Sequence, residues 1–421
     1  MIRAATLIGG FAATTLAAAL LSLSTSASAQ KIDVVPVASP TTGNKPAEAW
    51  VRFEPTGLVA SGTDGVTSRT TPRAVTIEDK VRVASVSKLV VALGVMRLVE
   101  QRKLSLDRDV SDYLGWKLRN PAYPARKITL AMLLSHTSSL NDNGEGYLVP
   151  LGDTIEQAMA NPAMWDQAHQ PGSHFTYGNI NFGVVGQIIE RVTGERFDKA
   201  MDTIVIKPLG LSACYNWGGG CTDRDAARAI TLYRPNGDIA RDDLGGKLPA
   251  CPAFVKEGTA CDLDGYQIGT NGALFSPQGG LRISPKELAE IGRMLARGGI
   301  AADGTRFLTA RSIAAMKRPR WIYNGRNGNT ESGFYCAYGL ATQILGQSNA
   351  PDCRDRLPGL PEGTFGHAGD AYALKSGLWI NPATQSGIAY YATAVGDATP
   401  ETGPSAYTVT EQRMAAKGLL R

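Results

Sequence analysis

Strand-forming segments lie at both ends of this chain, and helix-forming segments lie between them. Alternating and β-branched residues predict strands at about 49–60, 73–83, 338–346, 372–381 and 386–395. Apolar residues at helical spacing predict helices that begin near Ser85, Ile128, Asn179, Phe197 and Ser284, and a closing helix at about 408–420. A sheet built from both chain ends, with a mainly helical lobe inserted, is the economical arrangement of this order. The predicted fold class is therefore α/β in the broad α+β sense, a mostly antiparallel sheet flanked by helices.

The first 29 residues have the pattern of a secretory signal. Arg3 precedes a mostly apolar segment from Leu7 to Leu23, and Ala27-Ser28-Ala29 is a small-residue cleavage site. The alternative is a membrane anchor, but the apolar segment is interrupted by glycine and threonine and is short for a span. We therefore expect a periplasmic or secreted protein, cleaved near Ala29 and without stable membrane insertion.

The rest of the chain is expected to form one domain after a short linker. Residues 30–48 are proline-rich and typical of a linker. In the domain 49–421, the sheet lobe is predicted at about 49–84 and 275–421, and the helical lobe at about 85–274. The net charge of +5 is small and dispersed, which argues against nucleic acid as a partner.

Six cysteines follow the predicted signal, and an even number in an exported chain favours disulfides. They are Cys214, Cys221, Cys251, Cys261, Cys336 and Cys353. We favour pairs between sequence neighbours, 214–221, 251–261 and 336–353, because each closes a short loop. The alternative is a metal site, but the chain has no Cys-x-x-Cys and no histidine beside a cysteine. We therefore predict no metal and no cofactor.

Ser85 and Lys88 are the first candidates for chemistry. They lie three residues apart at the start of a predicted helix, so they share one face. An amine beside a hydroxyl is one way to activate a serine nucleophile. A second Ser-x-x-Lys, Ser28 to Lys31, straddles the predicted cleavage site and is discounted.

Two further motifs offer partners for this serine. Tyr177-Gly178-Asn179 precedes a predicted helix, where the phenol could relay protons and the amide could orient a substrate carbonyl and the lysine. The alternative is that Tyr177 caps the helix and Asn179 is its N-cap. Gly366-His367-Ala368-Gly369-Asp370 leads into a predicted strand, where a glycine admits a substrate backbone and the next N–H serves as half of an oxyanion hole. The alternative is a plain turn with a surface histidine.

In this order, the motifs resemble those of the serine β-lactamase and penicillin-binding protein superfamily. The chain is most similar to the branch of class C β-lactamases, D-alanyl carboxypeptidases, D-aminopeptidases and related esterases. Ser85-Val86-Ser87-Lys88 resembles its nucleophile motif, Tyr177-Gly178-Asn179 its tyrosine motif, and His367-Ala368-Gly369 its Lys-Thr-Gly or His-x-Gly position. The resemblance covers about 49–394 and implies a β-lactamase/transpeptidase-like fold.

The resemblance also implies a two-step acyl transfer. Ser85 would attack an ester or amide carbonyl, with Lys88 and Tyr177 sharing the role of base. The N–H groups of Ser85 and Asp370 would hold the oxyanion, and Asn179, His367 and Gly369 would contribute to binding. Tyr177 would protonate the leaving group and later help to activate water. The sequence leaves open whether Lys88 or Tyr177 takes the first proton.

One departure from the family pattern concerns the substrate. In members with Lys-Thr-Gly the middle hydroxyl helps to bind a substrate carboxylate, but here that residue is Ala368 and the lysine is replaced by His367. An uncharged ester or amide therefore fits as well as a carboxylate-bearing one. Of the other histidines, we expect His136 to be structural and His169 and His174 to be surface or loop residues.

The leading hypothesis is an exported serine hydrolase that cleaves a small ester, amide or short peptide through an acyl-enzyme on Ser85. The alternatives are a β-lactamase proper, and a non-catalytic penicillin-binding sensor or scaffold on the same fold.

Overall fold

The strands lie mainly near the two ends of the chain. The computed structural model describes residues 37–38 and 45–419, so the predicted signal 1–29 lies outside the described residues and the linker 30–48 is described only in part. The strands are β1 (Val37–Ala38), β2 (Glu48–Glu54), β3 (Gly57–Asp64), β4 (Val81–Arg82), β5 (Cys214–Tyr215), β6 (Leu232–Tyr233), β7 (Ile239–Arg241), β8 (Leu281–Ile283), β9 (Trp321–Ile322), β10 (Ala337–Tyr338), β11 (Gln343–Ile344), β12 (Phe365–Ala371), β13 (Leu374–Asn381) and β14 (Ser386–Ala392).

The helices occupy the middle of the chain and its closing segment. They are α1 (Val86–Glu100), α2 (Ser111–Leu114), α3 (Leu130–Leu134), α4 (Ile155–Met159), α5 (Ile180–Thr193), α6 (Phe197–Met201), α7 (Asp223–Ala226), α8 (Pro285–Ala296), α9 (Ala310–Lys317) and α10 (Val409–Ala416). Short 3₁₀ or π segments occupy Pro162–Met164, Asp202–Ile206, Lys207–Leu209 and Lys417–Leu419.

Within the described chain, nine strands form one sheet in the order β1-β3-β2-β14-β13-β12-β11-β10-β9. Only β1 and β3 pair in parallel; the other neighbours are antiparallel. The amino-terminal hairpin joins the carboxyl-terminal strands through β2 and β14, with Glu48 opposite Ala392 and Phe53 opposite Gly387. The predicted fold class, a mostly antiparallel sheet from both chain ends flanked by helices, is confirmed. The predicted lobe boundaries stay a prediction.

Side chains of the central strands alternate between two cores, one on each face of the sheet. Leu378 and Ile380 of β13 lie in the core that includes α1 and α8, whereas Trp379 packs with Met414 of α10. Successive residues of a strand point to opposite faces, so the two sets separate cleanly. Helices α8 and α10 therefore cover opposite faces, and the structure has a helix–sheet–helix layering.

The predicted helix starts agree with the structure where a capping signal is present. Ser284 accepts a hydrogen bond from the N–H of Glu287, and the Glu287 carboxylate accepts one from the N–H of Ser284. This capping box, with Pro285 at the first helical position, fixes the start of α8. The helix predicted from Ser85 is α1, with Ser85 at its N-cap.

Two predicted strands are wrong because each contains a turn. The segment 49–60 is a hairpin, in which Pro55-Thr56 separates β2 from β3. The segment 338–346 is two short strands, β10 and β11, around a turn in which Ala341 has φ of 53°. The first turn carries a signal that the prediction overlooked, with Pro55 at its second position and Gly57 at its fourth. The centre of the second turn, Leu340-Ala341, has no such signal.

Two other predicted strands are shorter than expected. Of the segment 73–83, only Val81–Arg82 is a strand, and Ala74 forms an isolated bridge with Val66. The strand predicted from residue 372 begins at Leu374, because Tyr372 and Ala373 both have φ of 57° and form the turn from β12. The motif at 366–370 therefore lies within β12, where a turn leading into a strand was predicted.

The structure pairs the six cysteines as sequence neighbours. The bridges are Cys214–Cys221, Cys251–Cys261 and Cys336–Cys353, with Cα–Cα separations of 5.7, 5.8 and 5.8 Å. These separations lie within the range usual for disulfides. Among the described residues, no helix has the length and apolar character needed to cross a membrane.

Candidate active site

A cleft of about 800 Å³ opens where the start of α1, the loop before α5 and strand β12 meet. Five of the seven predicted site residues line it: Ser85, Tyr177, Asn179, Gly369 and Asp370. The other two, Lys88 and His367, are completely buried behind its wall. Residues from distant parts of the chain thus converge on Ser85.

Ser85 is held in a fixed turn between β4 and α1. Ala84, just before it, has φ of 44°, which is unusual for a residue with a side chain. The Ser87 hydroxyl donates to the Ala84 carbonyl at 2.6 Å, and the Ser376 hydroxyl of β13 donates to the Val83 carbonyl at 2.9 Å. These bonds brace the strained backbone, so the Ser85 side chain is presented at the mouth of the cleft in one position.

Lys88 contacts Ser85 and two other polar groups. Its Nζ lies 3.0 Å from Ser85 Oγ, 2.8 Å from Asn179 Oδ1 and 2.9 Å from the Gln278 carbonyl oxygen. Burial lowers the pKa of the Lys88 amine to about 7, although the carboxylates of Asp142 and Glu331 act in the opposite direction. About half of these amines are therefore neutral near pH 7, and a neutral amine at this distance can accept the Ser85 proton.

Tyr177 lines the same cleft as Ser85 and lies beside Lys88. Its ring lies 4.8 Å from Lys88 Nζ and stacks on Tyr335 at 4.7 Å. Burial raises the pKa of the Tyr177 phenol well above its usual range, although the Ser85 and Tyr335 hydroxyls act to lower it. Among the described residues its hydroxyl has no hydrogen bond of good geometry. The phenol is therefore protonated at neutral pH and suited to donate a proton.

Asn179 holds the lysine, and Asp142 holds Asn179. The Asn179 side chain donates to Asp142 Oδ2 at 2.9 Å while its oxygen accepts from Lys88. Asp142 also accepts from the N–H groups of Asn179 and Ile180, each at 2.8 Å. Asn179 does occupy the N-cap position of α5, but its side chain makes no cap bond, and Asp142 performs that function.

Sequence reasoning missed Asp142, Glu331 and Gln278. Asp142 lies in an Asn-Asp-Asn loop far from Tyr177 in sequence, and Glu331 lies in a loop between β9 and β10. Gln278 acts through its backbone carbonyl, which side-chain type does not reveal. The only sequence clue to Asp142 was its position just after the Ser138-Ser139-Leu140 stretch. No local pattern connects it with α5.

Two residues that line the cleft, Ser85 and Asp370, have backbone N–H groups that are candidates for an oxyanion hole. The Ser85 N–H has no acceptor in the described part of the chain. The Ala368 N–H donates to Gln343 Oε1, away from β13, and since strand residues two apart point the same way, the Asp370 N–H also faces away from β13. A Cβ at Gly369 would clash with Ser376 Oγ and the Val83 carbonyl and lie 3.2 Å from the Ser85 nitrogen. Glycine therefore lets β12 approach Ser85 closely enough for a shared oxyanion hole.

The predicted binding role of His367 requires a correction. The side chain is fully buried and lies behind the cleft, with Nε2 2.7 Å from the Tyr338 hydroxyl and Nδ1 2.5 Å from the Ala368 carbonyl. Burial lowers the pKa of His367 to about 3. A neutral, enclosed imidazole does not replace the positive charge of a lysine toward substrate, and His367 instead supports Tyr338 and β12.

The remaining histidines lie outside the reacting groups. His136 is buried, its Nδ1 accepts from the Gly178 N–H at 3.2 Å, and its ring lies 4.3 Å from that of Tyr177, which fits the structural role predicted for it. His169 and His174 are partly exposed, as expected, and together with Asp166 bring ligand atoms within 4.8 Å of one another. Their rings stack at 3.8 Å and 8°, so their nitrogen lone pairs run in parallel planes and do not converge on one tetrahedral centre.

The chain shows similarity to known proteins over most of its length. A family model described as "Beta-lactamase" matches residues 40–408. The chain is 29% identical over 259 residues to penicillin-binding protein 4 of Amycolatopsis lactamdurans, which covers 60% of each chain. It is 31% identical over 166 residues to esterase EstB of Burkholderia gladioli, covering 36% of this chain and 42% of that relative. The aligned parts span less than two thirds of either relative.

The fold is also similar to that of solved structures. One is EstCE1, described as a hydrolase with promiscuous acyltransferase activity, with a TM-score of 0.62 and 20% identity. The match covers 89% of this chain and 94% of that one. At this level of identity, the likeness concerns the fold.

Proposed function

The chain belongs to the beta-lactamase family of serine hydrolases, and on that premise we propose that it hydrolyses an ester or amide bond through an acyl-enzyme on Ser85. The observation that carries the proposal is the 3.0 Å contact between Lys88 Nζ and Ser85 Oγ. An amine with a pKa of about 7 is close to the ideal for a general base at neutral pH.

The acylation step follows from the two proton positions. Neutral Lys88 takes the Ser85 proton as Oγ attacks the carbonyl, and the N–H groups of Ser85 and Asp370 stabilise the oxyanion. When the tetrahedral intermediate collapses, Tyr177 donates its proton to the leaving alcohol or amine. The proton held on Lys88 then restores the phenol, so the acyl-enzyme forms with all protons accounted for. Lys88 is accordingly the first base in this proposal, and Tyr177 the acid.

Deacylation reverses these roles. A water molecule attacks the acyl carbonyl and gives its proton to the Tyr177–Lys88 pair, while Ser85 Oγ leaves and is protonated again. The oxyanion hole serves both steps. The product is a free carboxylic acid, and no cofactor takes part in the proposed scheme.

Ester hydrolysis is the first activity to test. The relative EstB is named an esterase, and Ala368 in the cleft offers no hydroxyl to a substrate. We propose 4-nitrophenyl esters of short acids as substrates, together with a fluorescent fluorophosphonate as a covalent probe. Wild type should hydrolyse the ester and take up the probe, whereas Ser85→Ala should do neither above background. The exposed Ser173→Ala variant is the matched control and should behave as wild type. The absence of both Ser85-dependent labelling and ester turnover would contradict the proposal.

Penicillin binding is the second candidate, because one relative is named a penicillin-binding protein. A fluorescent penicillin and a chromogenic cephalosporin separate the possibilities. Turnover of the cephalosporin indicates a β-lactamase. Stable Ser85-dependent labelling without turnover of any ester or amide indicates a sensor or scaffold.

Export is a separate proposal, supported by the signal-like residues 1–29 and by the three disulfides. The protein recovered from outside the cytoplasm should begin at Gln30. Recovery of the full-length chain from the cytoplasm would contradict it.

A further inference from the structure

The positive charge of the chain is concentrated in one segment. Residues 304–330 contain six basic residues and no acidic one, whereas the whole chain has a net charge of only +5. The rest of the chain therefore has a net charge of −1. The six residues of this basic segment are Arg306, Arg311, Lys317, Arg318, Arg320 and Arg326.

The basic segment is exposed and is not neutralised by neighbouring acids. All six side chains are exposed to solvent, and none forms an ion pair with a described carboxylate. Two acids border the segment, Glu100, which accepts hydrogen bonds at the start of α9, and Asp303, which accepts from Thr305. Even with both counted, four positive charges remain in excess, and such an excess creates an attractive potential for anions.

Most of these cations surround α9. Arg311 and Lys317 belong to the helix itself, and Arg318 follows it directly. The Arg306 guanidinium donates to the carbonyls of Gly298 and Leu308, which places it beside the loop between α8 and α9. The cations therefore share the surface around this helix.

An exposed apolar residue lies on the same side of the sheet as α9. Ile322 of β9 is 43% exposed and lies opposite Ala337 of β10. Residues opposite each other in a ladder point to one side, and Ala337 packs in the core that contains Ile313 and Met316 of α9. We call the exposed surface of residues 306–322 the basic face.

An apolar groove of about 230 Å³ opens on the basic face, between α8, α9 and the sheet. Two of its lining residues, Lys317 and Arg297, are cations, and one, Gln385, is polar. The others are Leu295, Ala296, Gly298, Ala310, Ile313, Ala314, Phe365, Ile380 and Pro382. The basic face thus combines unpaired positive charge with accessible apolar surface.

The groove and the catalytic cleft lie at opposite ends of the same strands. On β12, Phe365 lines the groove and Asp370 lines the cleft. On β13, Ile380 lines the groove and Lys375 lines the cleft. Five strand residues span about 17 Å. A partner bound to the basic face therefore leaves Ser85 open to substrate.

We propose that the basic face binds the surface of a bilayer that contains anionic phospholipids and holds the enzyme there peripherally, whichever bond the enzyme cleaves. Each lysine or arginine near such a surface adds to the attraction, and guanidinium groups match phosphate oxygens with paired hydrogen bonds. The groove and Ile322 favour a bilayer, because an acidic polysaccharide or a nucleic acid offers charge without an acyl region. Protection of the edge strand β9 would account for Arg320, but Arg306 and Arg311 lie outside that edge.

The test measures co-sedimentation of the purified chain with vesicles of phosphatidylcholine, alone or with about 30% phosphatidylglycerol. At about 0.1 M NaCl, wild type should sediment with the anionic vesicles only, and about 0.5 M NaCl should release it, because salt screens exposed charges. The triple variant Arg311→Gln/Lys317→Gln/Arg318→Gln should lower the partition coefficient about 100-fold. Its melting temperature, followed by circular dichroism, should match that of wild type.

The matched control is Arg224→Gln/Arg234→Gln/Lys247→Gln, which removes the same charge from other exposed positions that line neither the cleft nor the groove. It should bind vesicles as wild type does, and an equal loss in both triple variants would overturn the basic face as the site. Absence of binding to anionic vesicles would also overturn it. Binding to neutral vesicles that persists in high salt would assign the contact to an apolar anchor elsewhere in the chain, against the proposal.

A last variant separates a bilayer from a soluble polyanion. Ile322→Ser keeps every charge, so it should weaken binding to anionic vesicles several-fold while binding to dextran sulfate stays unchanged. Unchanged vesicle binding in Ile322→Ser, together with equal affinity of wild type for dextran sulfate, would assign the basic face to a soluble polyanion and overturn the bilayer.

Discussion

Lys88 and Arg82 are two buried cations beside the same nucleophile, and burial affects them differently. Lys88 has three hydrogen-bond partners and a pKa lowered to about 7. Arg82 has two buried donor atoms unpaired, and its pKa is lowered only to about 9. The same physical cause, removal from water, thus yields a neutral base in one case and a permanent cation in the other, because arginine starts from a much higher pKa. The first residue suits proton transfer, and the second keeps a fixed positive charge next to it.

The largest effect on the acylation rate is expected when the lysine at position 88 is replaced by arginine, the other kind of cation. Lys88→Arg keeps a positive charge but removes the neutral amine, so acylation should fall about 1,000-fold, as much as in Lys88→Ala. The measurement is the rate of fluorophosphonate labelling of Ser85, with circular dichroism to establish folding. Near-normal labelling in a folded Lys88→Arg protein would mean that the lysine acts only through its charge.

The pH profile tests the base assignment without a mutation. Below pH 7 Lys88 is protonated and cannot accept the Ser85 proton, so kcat/KM should fall about tenfold per pH unit and be about 100-fold below its plateau at pH 5. Above about pH 8, where most Lys88 amines are neutral, activity should stay level, because burial keeps the Tyr177 phenol protonated. Initial rates with a neutral ester between pH 5 and pH 9 provide the measurement. A kcat/KM that rises as the pH falls below 7 would contradict the assignment of Lys88 as the base.

Tyr177→Phe should separate proton donation from proton removal. An amine leaving group needs a proton, so turnover of an amide should fall about 100-fold. A 4-nitrophenolate leaves without protonation, so acylation by the nitrophenyl ester should fall much less. Rates for an amide and an ester with the same acyl group provide the comparison. An equal loss for both substrates would place Tyr177 with Lys88 as part of the base.

How far the site could be predicted depends on whether its parts are contiguous in sequence. Ser85 and Lys88 are one helical turn apart, and Tyr177 and Asn179 share a motif, so local spacing was enough to select them. Arg82 lies three residues before the nucleophile, but its lack of a partner depends on which strand it faces and on Asp242, a nearby carboxylate, being bound by Arg282.

The same reasoning explains the errors in the fold. The strand pattern at both ends was enough to predict the large sheet, since a period of two needs only neighbouring residues. The turn at Tyr372-Ala373 was missed because both residues adopt positive φ without being glycine, asparagine or aspartate. His367 was predicted to contribute to substrate binding, with a surface turn as the alternative, but the ladder with β13 extends β12 back to Phe365 and encloses the imidazole. Such pairing between distant segments has no local signature.

Asp142→Asn should have the smallest effect on activity, and it tests whether a nearby negative charge helps to set the pKa of Lys88. The Asp142 carboxylate acts to raise the pKa of Lys88, so its loss should lower that pKa and move the acid limb of the pH profile to lower pH. Asparagine keeps one acceptor oxygen where Asp142 uses two, so part of the bonding to Asn179 and Ile180 is retained and kcat at pH 8 should change only a few-fold. Loss of the negative charge at the helix N-terminus, together with at least one hydrogen bond, should reduce the free energy of unfolding by about 1–2 kcal/mol, measured by urea denaturation. A shift of the acid limb to higher pH would mean that Asp142 does not act on Lys88 through its charge.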